Sequence, residues 1–271
     1  MERTAGRLGE VWKHLVLAEV VRAERPERYA ESHAGAAVHP LPGGGEQRYG
    51  IRRAAAAFGR PSAYLDVVRP FLAADALPGS AVVALSIAPD TDALLCDTDP
   101  AATADLRAWL ARSDVTGARV VTADGASALR PWLARGRALV HVDPDDPEDD
   151  LGASVSGIDL AAEVVDAGHG LVWWYGYDHP DYRDWALTAL DRPDLWAGDL
   201  LVTTADGEVE EDGELAVATT PGTGFGVLVA GVDPALGRRL EALGDALVAA
   251  YDGAPLPDGR PGALDLLVDV S

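Results

Sequence analysis

Apolar residues at Leu8, Val11, Trp12, Leu15, Val16, Ala18, Val20 and Val21 recur at the spacing of one helical face, which predicts a helix over residues 7–23. From residue 81 the pattern changes to strand–helix pairs. Short apolar runs at VVALS (82–86), ALLCD (93–97), RVVTAD (119–124), ALVHVD (138–143) and GLVWWY (170–175) read as strands, with helices between them at 99–112, 126–135, 156–167 and 180–190. Several runs are nearly continuous in apolar residues, as strands covered on both faces must be. This alternation predicts an α/β fold with a parallel sheet and right-handed crossovers. The tail departs from it. ELAVATTPGTGFGVLVAGVD (214–233) reads as two strands around a Pro-Gly-Thr-Gly turn, so the sheet is expected to end in an antiparallel pair before a last helix over 234–251.

Residues 38–80 interrupt the scheme. A loop, VHPLPGGGEQRYG, leads into two short helical segments, IRRAAAAFG and SAYLDVVRPFL, and a closing ALPGS turn. Together they read as a helical insertion that could serve as a lid over an active site.

Charge narrows the classes of partner. The chain carries 22 Lys and Arg against 44 Asp and Glu, a formal net charge of −22. A surface of that sign repels phosphate backbones, so nucleic acid is not an expected partner. Cys96 is the only cysteine, which excludes a disulfide or a cysteine-based metal site within one chain, and no metal is expected. The first residues lack a basic-then-apolar signal pattern and no run reaches membrane-spanning length, so the expectation is a soluble, cytoplasmic protein with no membrane partner. Oligomeric state leaves no signal in the sequence.

Candidate chemistry lies where the strands end. Open α/β sheets bind ligands at the carboxyl ends of their strands, near the point where strand order reverses. The segment RYAESHAG delivers Glu31, Ser32, His33 and Gly35 there; the later strands deliver Asp97, Asp124 with Gly125, Asp143 and Tyr175. Acids at successive strand ends have the layout of a nucleoside pocket. One carboxylate accepts from the ribose hydroxyls, another from an adenine amine, and a glycine turn admits the ligand to the backbone. Asp99 and Asp124, each just before a helix, also fit the competing use as N-caps. Of the histidines, His141 is expected in the core and His39, His169 and His179 on the surface.

Lys13-His14, Glu31-Ser32-His33-Ala34-Gly35, Pro78-Gly79-Ser80-Ala81, Asp97, Ala123-Asp124-Gly125 and Asp143-Pro144-Asp145-Asp146 follow one another in an order that resembles a family. It is that of the bacterial ribosomal-RNA large-subunit adenine-N6 methyltransferases of the J type, and the likeness runs from about residue 4 to residue 251. It implies a class I S-adenosylmethionine methyltransferase fold: a Rossmann-like, seven-stranded sheet with an antiparallel terminal pair, in a single domain over 1–271. It also implies that S-adenosylmethionine is bound, with Lys13, His14, His33 and Ser80 around its methionine end and Gly35 also in the cofactor pocket. Asp97 would take the ribose, Asp124 and Gly125 the adenine, and Asp143 would lie nearest the sulfonium.

The departures from that family bear on the reaction. Its Asp-Pro-Pro-Tyr motif, which presents a backbone acceptor and a stacking ring to a flipped adenine, is Asp143-Pro144-Asp145-Asp146 here, and a carboxylate cannot stack a purine. With the acidic charge, this argues against ribosomal RNA as the substrate. The cofactor itself then becomes the expected substrate. Its own amine or α-carbon would close a small ring and expel methylthioadenosine, giving azetidine-2-carboxylate or 1-aminocyclopropane-1-carboxylate in natural-product metabolism. Asp143, Asp146 and Tyr175 are the catalytic candidates, with the Tyr175 ring also meeting the sulfonium by cation–π attraction. Methyl transfer to a small-molecule acceptor is the alternative; a cofactor-binding homologue without turnover and RNA methylation stand behind it.

Overall fold

The structure, a computed structural model, describes residues 5–270 apart from 42, 45–46, 145–154, 178–179, 191, 193, 205–223, 257–258 and 260. Helix α1 (Leu8–Glu24) forms where the apolar spacing predicts it and is buried on nearly every side. It stops at Arg25, which takes a left-handed φ of 44°, immediately before Pro26.

The main sheet is built from β1 (Arg28–Glu31), β4 (Asp92–Asp97), β5 (Ala118–Thr122), β6 (Leu139–Val142), β7 (Gly170–Tyr177), β8 (Trp196–Thr204), β9 (Gly224–Ala230) and β10 (Gly262–Val270). Their spatial order is β10-β8-β9-β7-β6-β1-β4-β5. The five strands from β5 to β7 pair in parallel, whereas β9 pairs antiparallel with both β7 and β8. This is the class I methyltransferase fold, with one strand more than the seven expected: β10 adds itself antiparallel along β8. The first of the two strands expected around the Pro-Gly-Thr-Gly turn lies outside the described residues; the second is β9, between β7 and β8.

The predicted crossovers are in place as α5 (Pro100–Leu110), α6 (Gly125–Leu133), α7 (Gly157–Asp166) and α8 (Pro180–Ala189), and the last helix as α9 (Gly237–Tyr251) after a 3₁₀ turn at Pro234–Leu236. Asp99 and Asp124 do cap α5 and α6, accepting from the amides of Ala101 and Ser127. One core layer packs α1, α5 and α9 on one face of the sheet; the other packs α6, α7 and α8 on the opposite face.

VVALS is not a strand. It lies inside α4 (Ser80–Ile87), whose Ser80–Leu85 are all buried. A short apolar run fits a strand or an all-round buried helix equally well, and here the helix wins because β1 already fills the centre of the sheet. β1 is the polar segment Arg28–Glu31, paired to β4 on one side and β6 on the other. Its polar atoms are satisfied locally. Arg28 stacks 3.7 Å from the Trp132 ring centroid and donates to the carbonyls of Gly136 and Trp132, while Tyr29 donates to Glu31.

Between β1 and α4 the insertion contains β2 (Val38–Pro40), a π-helical turn (Arg48–Arg52), α2 (Arg53–Ala57), α3 (Ala63–Leu72) and β3 (Ala76–Pro78), with β2 and β3 paired antiparallel. Asp105 of α5 accepts from the amides of Ala37 and Val38 at 2.9 and 3.2 Å. On the other side, the Tyr251 hydroxyl lies 2.5 and 2.8 Å from the carbonyls of Tyr49 and Gly50. Position 50 must be glycine, since a Cβ there would stand 2.0 Å from the Gly6 carbonyl oxygen. No helix among the described residues is long and apolar enough to cross a membrane.

Candidate functional site

Strand order reverses at β1, and the carboxyl ends of β1, β4 and β6 meet at the position where such sheets bind ligands. The first turns of α1 meet the end of β6 there. Lys13 Nζ lies 2.6 Å from Asp143 Oδ2 and 2.6 Å from Glu10 Oε1, with its side chain only 5% exposed. Burial alone would lower the Lys13 pKa, but the charges of Asp143 and Glu10 outweigh it and push it above its ordinary value. Burial would likewise raise the Glu10 carboxyl; Lys13 first, then His14 and His39, hold it down at about 2. Two carboxylates thus flank one ammonium, leaving one excess negative charge. The Trp174 ring centroid is 5.5 Å from the same Nζ, within cation–π range.

Beneath this pair lies a buried polar cluster. Glu31 is fully buried and accepts from the hydroxyls of Tyr29 and Ser80, the latter at 2.7 Å. Ser80 therefore turns its proton inward, which leaves its oxygen lone pairs as its remaining hydrogen-bonding capacity. His141 is buried, as its strand position predicted, and its Nδ1 lies 3.9 Å from Glu31 Oε1. Both His141 ring nitrogens, His14 Nδ1 and the Tyr64 hydroxyl are buried without a hydrogen-bond partner among the described residues. His14 packs against the Tyr64 ring at 5.6 Å, and burial drives its pKa down to about 3, so its imidazole is neutral. A donor set of this kind, with orphaned buried nitrogens beside carboxylates, suits the amino-acid end of a ligand.

The nucleoside side is arranged differently from a simple row of free acids. Asp97 accepts from the amides of Gly35 and Asp99, each at 2.8 Å, and so joins the first loop to the end of β4 while remaining half-buried. Gly35 takes a φ of +61°, and a Cβ there would meet nothing within 4 Å: the loop turns left-handed beside open space. Ser32 Oγ and His33 Nδ1 are 2.8 Å apart. Gly125 is required for a different reason from the expected one. A Cβ at that position would come 2.3 Å from the Ser32 carbonyl oxygen, so the glycine lets helix α6 approach the first loop. Cys96 is buried among these acids, and burial, then Asp124, Asp97 and Glu31, push its thiol up to about 12.

Tyr175 lies elsewhere. It is on the opposite face of β7, buried and donating to the buried Asp199 Oδ2 at 3.1 Å, with Arg183 joining Asp199 to the half-exposed Asp269. Strand alternation gives the Lys13 side to Trp174 instead. Asp145, Asp146 and His179 lie outside the described residues. His169 is buried, not on the surface; its Nδ1 accepts from the Ala138 amide at 3.3 Å. His39 is half-buried. Among the described residues no His, Cys, Asp and Glu group has a metal-holding arrangement.

Over nearly its whole length the chain is similar to protein LPL1258 from Legionella pneumophila, of the DUF519 family. The TM-score is 0.74 at 16% identity, with 98% of each chain covered. Looser likenesses include an rRNA methylase from Streptococcus thermophilus (TM-score 0.40, 11% identity, 81% of this chain and 94% of that one) and a putative methyltransferase from Thermobifida fusca (0.40, 16%, 84% of each). No family model and no curated protein matches the chain. At such identities the first likeness concerns the fold alone, and the looser two carry no argument about function.

Glu10 and Trp174 are the participants that the sequence reading left out. Glu10 stands three residues before Lys13 on a helix, a spacing that brings side chains together. Trp174 follows from the two-residue period of a strand once the buried side of Trp173 is known.

Proposed function

We propose that this site binds S-adenosylmethionine and that the protein transfers its methyl group to a small-molecule acceptor. The observation that carries this reading is the Asp143–Lys13–Glu10 group at the strand-order reversal, joined to a loop tied by Asp97. When bound, S-adenosylmethionine supplies an electrophilic methyl on a sulfonium; the acceptor's lone pair takes it, the C–S electron pair stays on sulfur, and the acceptor's proton leaves to water.

In this reading Asp97 holds the ribose hydroxyls and the Gly35 loop borders the cofactor. Asp124, already committed to the α6 cap, orients the adenine edge together with Gly125. His14 and His33 face the methionine end with Ser80, and Lys13 fixes the Asp143 carboxylate beside the sulfonium. One excess negative charge there complements the cationic donor and falls away in value once the methyl has left. Acidic net charge favours a small acceptor over nucleic acid.

Ring closure within the cofactor, which the sequence reading favoured, needs a free base near the methionine amine. Asp143 is held by Lys13, and Tyr175 is engaged by Asp199 on the other face of the sheet. Among the described candidates these pairings favour methyl transfer, and Asp146 lies outside the described residues. Mass spectrometry of purified protein with S-adenosylmethionine tests it. Methyl transfer gives S-adenosylhomocysteine that depends on an added acceptor; methylthioadenosine formed from the cofactor alone would restore ring closure.

A further inference from the structure

The amino ends of β6 and β7, opposite the end that carries the strand-end acids, border a separate cavity. It lies between α6 and α7 and has a volume of about 450 Å³, within the range of small-molecule sites. Leu133, Leu160 and Val164, all buried, give it an apolar floor. His169 also lines it and is only 6% exposed. The His169 Nδ1 accepts from the Ala138 amide at 3.3 Å, which leaves the ring proton on Nε2. That N–H has no acceptor among the described residues. Burial first, then the charges of Arg28 and Arg137, hold the His169 pKa below its ordinary value, so the ring is neutral. Arg137, next in sequence to Ala138, lines the same cavity. Its Nη2 donates to the Gly231 carbonyl at 2.5 Å and lies 3.6 Å from Glu24, while Nε and Nη1 have no acceptor among the described residues. Arg130, by contrast, is held from two nitrogens by Glu163, at 2.8 and 2.7 Å, and that pair is neutral as a unit.

We propose that this cavity is a second binding site, and that its ligand is a small carboxylate with an apolar body. The floor of Leu133, Leu160 and Val164 takes the body. His169 Nε2 and the Arg137 guanidinium take the carboxylate, as charge-assisted hydrogen bonds of the strong kind. A cationic head would meet the guanidinium and be repelled; a bare anion would gain nothing from the floor. Direct donors are needed here because the chain's net charge of −22 opposes anions in general. The cavity stands at the far end of the strands from the proposed cofactor site, so the two can be filled together, and the inference does not rest on the methyl-transfer reading.

The test is calorimetry of the full chain with three probes: 2-naphthoate, its neutral amide 2-naphthamide, and acetate. The expected result is saturable binding of 2-naphthoate at one site, at least about tenfold tighter than either of the others, the scale of a hydrogen bond to a charged group. Arg137→Leu and His169→Phe each remove most of that preference, and Arg137→Lys keeps part of it. Ala134→Trp places an indole in the cavity from an exposed position on its rim and abolishes 2-naphthoate binding. Melting temperatures identify any variant that has simply unfolded; Ala134→Trp, altered only at an exposed position, then still decides. No saturable binding, equal binding of 2-naphthamide, or undiminished binding in folded Ala134→Trp overturns the site. So does competitive displacement of 2-naphthoate by S-adenosylmethionine, which would put the probe at the other end of the sheet.

Discussion

Lys13 is the residue on which the site's electrostatics turn. Its ammonium is nearly buried between two carboxylates, so removing it leaves both without a counter-charge. Breaking a buried pair from one side typically costs about 3–5 kcal/mol. Lys13→Met should therefore lower the stability measured by urea unfolding by that order, toward the small end because Asp143 and Glu10 keep some solvent contact. Asp97 does two things at once, tying Gly35 and Asp99 and, in the proposed reading, holding ribose. Asp97→Ala should weaken S-adenosylmethionine binding by roughly tenfold or more, the scale of a lost charged acceptor. Asp199 gives a pH test independent of any ligand. Burial first of all raises its carboxyl from 3.8 to about 6, against the opposing pull of Arg183 and Tyr175. It holds its proton more tightly folded than unfolded, so the stability it contributes is complete below about pH 3.8 and is lost as pH rises through about 6. Asp199→Asn should flatten the stability profile between those values; an unchanged profile would show that other groups govern it.

At the scale of elements, glycines and caps decide how closely the site's walls approach. Helix α6 reaches the first loop only because position 125 has no side chain. Gly125→Ala should push the helix away from Ser32, lowering thermal stability by the roughly 1–3 kcal/mol typical of overpacking and weakening cofactor binding as well. Helices were legible where amphipathic spacing and a capping side chain agree: Asp99 before α5, Asp124 before α6 and Ser156 before α7. The strands β4 to β7 were legible from their apolar runs. VVALS was not, because a run buried on all sides carries no period to separate strand from helix. β8 and β10 escaped notice for another reason: WAGDLLVTT and GALDLLVDV each place an Asp among apolar residues, and Asp199 is met inside the sheet by Tyr175, Tyr177 and Arg183.

For the molecule as a whole, topology was more legible than chemistry. Alternating patterns fixed the parallel half of the sheet and its ligand-binding end, and strand-end acids pointed to the site. Which β7 ring lies beside Lys13 was not readable until the side of β7 was known: it is Trp174, not Tyr175. The pairing of Asp143 with Lys13 needs a contact across 130 residues that no local pattern announces. In the proposed reading, the Asp143–Lys13 pair and the engagement of Tyr175 by Asp199 favour transfer onto an acceptor over ring closure within the cofactor. The measurement that bears most directly on this account is calorimetric titration of the full chain with S-adenosylmethionine, with Asp97→Ala in parallel. The account predicts saturable binding at one site in the parent and binding weaker by roughly tenfold or more in the variant. Absence of binding in the folded parent, or equal affinity in the two proteins, would contradict it.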